Sequence, residues 1–157
     1  MMLSVCISSM QEAQIVLAHC HLAQGDSETP LALITPAFSA SVHGIGYWQS
    51  IEQQLKQEFP HNHWSLWLDC GDAAGLAMQA MAAGVQNLII DTRLASAPAL
   101  MDLAKHHGAQ MVPRPTHLNH FQDFSSLYDK QQLAKTWKIA TDSLKFSSDN
   151  KEFSHAY

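Results

Sequence analysis

The sequence predicts an α/β fold: a single open, doubly wound parallel sheet of about five strands, with helices on both faces and an appended C-terminal helix. Three observations predict it. Short apolar runs of strand length alternate with longer segments whose apolar residues recur every three or four positions, in the order β-α-β-α-β-α-β-α-β up to Val112. Strands that are continuously apolar and separated by helices call for parallel pairing with covered faces. A closed eight-stranded barrel needs about 250 residues, and this chain has 157, so the open sheet is favoured over a barrel-like arrangement.

Leu3 to Ile7 reads as the first strand, and Ser8-Ser9 as an N-cap for a helix over Gln11 to Ala23 that Gly25 closes. Ala13, Val16, Leu17 and Cys20 share one face of that helix. Leu31 to Thr35 is a second strand that stops at Pro36, followed by a long small-residue loop through Gly46. Trp48, Ile51, Leu55 and Phe59 then mark a second helix, which ends before Pro60. Trp64 to Asp69 is a third strand, and Asp72 is placed to cap an Ala-rich helix from about Ala73 to Ala83, ended by Gly84. Val85 to Asp91 supplies the fourth strand. Ser96 and Pro98 open a helix that runs through His107 to Gly108, and Ala109 to Val112 is a short fifth strand. The loop from Pro113 to His120 leads to one more amphipathic helix near Ser126 to Thr141. Residues 1–141 are thus expected to form one domain and residues 142–157 a loosely ordered polar tail. This βα grammar is flavodoxin- or Rossmann-like in outline and resembles many doubly wound and aldolase-like proteins, with no motif specific to one family.

Composition excludes some functions. The chain is 46% hydrophobic and only 15% charged, against roughly 25% charged in ordinary soluble domains, so much of its surface is neutral or covered by another copy. A net charge of −5, nine Lys plus Arg and no basic cluster are the wrong footprint for nucleic acid. No apolar run approaches the roughly 20 residues of a membrane span, and no Lys or Arg precedes Lys56 to form the charged start of a secretory signal. A cytoplasmic protein without nucleic-acid or membrane partners is expected. Cys6, Cys20 and Cys70 form no CxxC pair and read as reduced thiols, with Cys70, at a strand end, the one placed to react.

In an open parallel sheet, ligands bind at the carboxyl ends of the strands, where loops and helix N-termini offer free amides. Arg93 and Arg114, the only arginines, both follow predicted strands there and are expected to be neighbours. Two guanidinium groups could clamp a phosphate or carboxylate, or neutralise Asp69 and Asp91 in a structural ion-pair network. Asp69 and Asp91 end adjacent predicted strands and could divide acid and base roles or hold a divalent cation. The loop carrying Ser39, Ser41, His43, Gly44 and Gly46 could close over a ligand or be a plain long turn. No GxxxxGK[ST], GxGxxG or GxSxG is present. Of the histidine pairs, only His117 and His120 fall near the carboxyl edge, and without a partnering Cys or HExxH they do not make a zinc site.

Two functions remain open from sequence. In the first, a small anionic metabolite is bound, or turned over, with Arg93 and Arg114 as clamps, Asp69, Asp91 and His43 as catalytic candidates, and Ser39, Ser41 and Gly44 on a mobile flap. In the second, a non-enzymatic domain works by self-association or partner docking, suggested by sparse charge, seven Met and four Trp. No particular cofactor follows from the residues. A homo-oligomer is expected on either reading.

Overall fold

A computed structural model describes residues 3–24, 30–61 and 63–120. Its elements are β1 (Leu3–Cys6), α1 (Met10–Gln24), β2 (Leu31–Ile34), α2 (Ser39–Val42), α3 (Ile45–Glu58), β3 (Trp64–Asp69), α4 (Ala74–Ala82), β4 (Asn87–Ile89), α5 (Ala97–His106), β5 (Gln110–Val112) and β6 (Asn119–His120). All pairings are parallel. The α/β parallel sheet expected from sequence is therefore present. The helix expected near Ser126 to Thr141 and the tail at 142–157 lie outside the described residues.

The strand order, which periodicity alone could not supply, is β5-β4-β3-β2-β1-β6. From β1 to β5 each strand is laid beside its predecessor in one direction. Right-handed crossovers then place every connecting helix on the same side. The packing agrees. Val5, Leu33, Leu68, Leu88 and Met111 join Leu17 of α1, Trp48 and Leu55 of α3, Met81 of α4 and Leu100 of α5 in one continuous core. The opposite face carries a smaller cluster of Ala32, Ile34, Trp67 and Ile89, with Val112 and Leu118 packed against it and no helix among the described residues contributing.

Local chemistry fixes the element ends. Ser9 Oγ accepts the Glu12 N–H at 3.2 Å while the Glu12 carboxylate accepts the Ser8 N–H at 2.6 Å. Ser9 thus caps one free amide of α1, and the Glu12 carboxylate reaches back one residue beyond the cap, to Ser8, in a variant of the capping box. Asp72 and Ser96, expected as caps, make no such bond: α4 begins after Ala73 and α5 after Ser96 without a side-chain cap. Asp72 instead offers its carbonyl to the Ala74 N–H. The long loop after β2 is also more ordered than expected, since Ser39–Val42 makes one short helical turn before α3. Gly44 joins the two helices at φ 87°, ψ 156°, backbone that only glycine adopts at low cost.

The connection from β5 to β6 is short for the distance it covers. Those strands lie at opposite edges of the sheet, about 24 Å apart if it were flat. Only residues 113–118 join them, and the seven steps from Val112 to Asn119, fully extended, reach about 23–25 Å. The segment is a strap with little slack. Pro113 and Pro115 suit it, because proline favours extended backbone and brings no N–H that needs a partner. Leu118, at its far end, rests on the smaller cluster, so the strap crosses the face opposite the described helices.

Candidate functional site

Asp69 ends β3, and register places it with Ile89 on the strap side of the sheet. It is buried, and an isolated carboxylate there would be strongly disfavoured. Three donors satisfy it. Its Oδ1 accepts the Phe38 N–H at 3.0 Å and the Gly71 N–H at 2.9 Å, and its Oδ2 accepts Arg114 Nη1 at 2.6 Å. The two amides belong to the turns after β2 and β3, both of which need left-handed backbone: Phe38 has φ 59° and Gly71 φ 55°. One carboxylate thus fixes two left-handed turns, of which the one at Phe38 is strained, and receives the strap.

Arg114 gets there because the strap passes beneath the strand ends. Its Nη1 also donates to the Thr35 carbonyl at 3.0 Å, and Nη2 approaches Cys6 Sγ at 3.7 Å. One guanidinium therefore touches the ends of β1, β2 and β3. The side chain is 28% exposed. Its Nε has no acceptor among the described residues, and Nη2 meets only the thiol sulfur, a weak acceptor. Among the described residues the planar Nε–Nη2 edge is thus left without a strong acceptor.

Thr35 and Ser39 complete the buried polar floor. Ser39 Oγ donates to Thr35 Oγ1, which in turn accepts the Asp69 N–H at 2.9 Å. Ser39 is wholly buried, so in this conformation it supports Asp69 and does not face a ligand. Thr35 does not stand out in the sequence as a site residue. A threonine ending an apolar strand opposite an aspartate is the signal that could have found it.

Asp91 and Arg93 form a separate, local pair. Arg93 Nε and Nη2 bond the Asp91 carboxylate at 2.9 and 2.7 Å, and the Arg93 N–H adds a third bond at 2.9 Å. The Arg93 side-chain bonds, then its backbone N–H, hold the Asp91 carboxyl down at about 2, and Asp91 in turn raises the guanidinium. The Arg93 side chain is 89% exposed. Each arginine thus has its own aspartate, and the four candidates are two pairs instead of one cluster. Among the described residues, no three His, Cys, Asp or Glu side chains are grouped to hold a metal.

The Ser41 and His43 side chains make no hydrogen bond to Asp69, Thr35 or Arg114 among the described residues, although the His43 N–H donates to the Ser39 carbonyl at 2.9 Å. Ser41 and His43 are exposed; the His43 ring stacks on Tyr47 at 5.3 Å and meets Trp48 edge-on at 5.8 Å. Gly44 serves the turn into α3. Phe38, Val42 and Tyr47 in the same stretch are exposed large hydrophobic residues. The thiols differ from expectation. Cys70 is fully buried, and burial, with Asp69 adding to it, pushes its thiol up to about 12, so it is neutral at physiological pH and not the reactive cysteine. Burial also raises Cys6, against the lowering effect of Arg114.

No protein-family model matches the chain, and no curated protein matches it in sequence. Among the described residues no helix is long and apolar enough to cross a membrane.

Proposed function

We propose that the domain binds a small anionic molecule at the carboxyl edge of its sheet, with Arg114 as the recognition group. The observation that supports this reading is the Nε–Nη2 edge, without a strong acceptor among the described residues, of a partly buried guanidinium whose orientation Asp69 and Thr35 already fix. A carboxylate or phosphate oxygen pair matches that edge in a bidentate manner. Preorganisation matters because a ligand need not immobilise a flexible arginine on binding. The reading is one of binding. Turnover would need a proton donor or acceptor, and Asp69 is fully engaged.

The test uses Arg114→Lys, which keeps a cation for Asp69 and removes the planar edge. Thermal unfolding of the parent should rise by about 5 °C or more with saturating ligand, in a panel of carboxylates and phosphate monoesters. The lysine variant should fold and lose that response. A parent chain that no panel member stabilises, or a lysine variant that responds equally, would sink the reading.

A second reading, self-association, has its own support. Phe38, Val42 and Tyr47 place three exposed large hydrophobics within one short stretch around α2, on a chain of low charge. Sedimentation velocity over a range from micromolar upward should then show a concentration-dependent dimer that Val42→Asp abolishes. A parent that stays monomeric throughout would remove this reading and leave the first untouched.

A further inference from the structure

β6 has two residues, Asn119 and His120, and pairs with the outer edge of β1. Backbone groups of alternate strand residues turn to alternate neighbours. The Ile7 N–H donates to the Ile34 carbonyl at the end of β2 at 2.9 Å, so Val5 shares that direction while Ser4 and Cys6 face β6. The Ser4 carbonyl accordingly accepts Asn119 Nδ2 at 3.2 Å. A pairing this short rests on few bonds, each worth little after exchange with water, and belongs with the parts of a fold that open locally. We propose that the strap is a latch on this edge: with Arg114 seated on Asp69 and Thr35 the strap lies along the sheet and delivers β6 to β1, and with Arg114 unseated β6 leaves.

Reach is what couples the two. Fully extended, the steps from Val112 to Asn119 only just cover the separation of β5 and β6, so a strap that bows away from the sheet falls short of β1. Arg114 holds it down. Its guanidinium meets Asp69 Oδ2 at 2.6 Å, the Thr35 carbonyl at 3.0 Å and Cys6 Sγ at 3.7 Å. Those groups lie at the ends of β3, β2 and β1, the strands that come before β6 in the sheet order. Pro113 and Pro115 stiffen the backbone on either side of Arg114, so the seat sets the course of the strap as well as of one side chain. Leu118, packed on the smaller cluster, keeps the far end on the same face. Release of the latch would bare the outward backbone groups of Ser4 and Cys6, an edge on which another strand can add. An anion on the Nε–Nη2 edge would steady the same seat, but the latch rests on protein contacts and is tested without ligand.

Residue-resolved amide exchange on the full chain, read by NMR, tests the latch in a cycle of two changes. One is Arg114→Met, which empties the seat. The other is a Gly-Ser-Gly-Ser insert between Thr116 and His117, which removes the limit on reach at small entropic cost. With the strap at its own length, Arg114→Met should speed exchange at Cys6 about tenfold more than at Val5 and Ile7, which share the strand but face β2. In the chain with the insert, the same substitution should alter the three amides alike, because a slack strap reaches β1 without the seat. Equal acceleration at Cys6, Val5 and Ile7 with the strap at its own length would make Arg114 a support of the whole fold and overturn the latch. A selective Cys6 response that survives the insert would overturn it too. Should Arg114→Met fail to fold, Asp69→Asn loosens the same seat and reads the same contrast.

Discussion

Arg114→Met should cost the fold about 3 kcal/mol, the lower end of what breaking a buried ion pair costs. The arginine sits at the surface, but its partner does not. Asp69 is 2% exposed, and without Arg114 its Oδ2 loses its only hydrogen-bond donor among the described residues. The Phe38 and Gly71 amides still serve Oδ1, which keeps the loss from the top of the range. The partners should be unequal. Asp69→Asn should cost less than Arg114→Met, because a 28% exposed guanidinium can turn to water whereas a buried carboxylate cannot. The double variant should recover part of the arginine loss. Urea unfolding of the three variants tests this; an Arg114→Met midpoint equal to the parent's would show the pair to be dispensable.

Gly71→Ala should cost about 2–3 kcal/mol through two separable effects. Its φ of 55° is left-handed, which costs an L-residue about 1–2 kcal/mol. In addition, a Cβ there would run into the Phe38 ring, so ring or turn must move. Gly108→Ala isolates the first effect, because Gly108 has φ 67° with open space where its Cβ would lie. The difference between the two alanine variants therefore measures the ring contact, and adding Phe38→Ala to Gly71→Ala should erase that difference. Thermal unfolding resolves it, since 1 kcal/mol corresponds to roughly 2–4 °C in a chain of this size. Equal losses at positions 71 and 108 would mean that the ring yields freely.

The fold was legible where burial writes a pattern into neighbouring residues. The apolar run Leu31 to Thr35 and the spacing of Trp48, Ile51 and Leu55 each report a local period, and both became elements of the expected type. Strand order was not legible, since adjacency in the sheet depends on crossovers that leave no local period. β6 was missed for a related reason. Two residues completing an edge are too short to alternate, and Asn119 and His120 have no strand-like composition.

Site legibility divided in the same way. Asp69 and Arg114 stood out because a carboxylate and a scarce arginine ended apolar strands, but their meeting across 45 positions is a tertiary fact. Arg93 looked equivalent in sequence and proved to be bound to its near neighbour Asp91. Ser39 looked like a flap hydroxyl and is buried beneath the Thr35 hydroxyl, because the loop coils into α2 instead of projecting.

The taut connection from β5 to β6 also sets an order of events during folding. β1 precedes the other described strands along the chain, yet its outer edge is paired only when Asn119 arrives, so an unpaired parallel strand persists until residues 119–120 have been made. Such an edge invites pairing with other chains. The counter-charge of Asp69 comes just as late, 45 positions after the carboxylate itself, and long-range closure of this kind is slow to form. β1 to β5 must therefore associate before the arginine can reach its seat. The loss in Arg114→Met should accordingly appear in the unfolding arm of its chevron, with the refolding arm close to that of the parent.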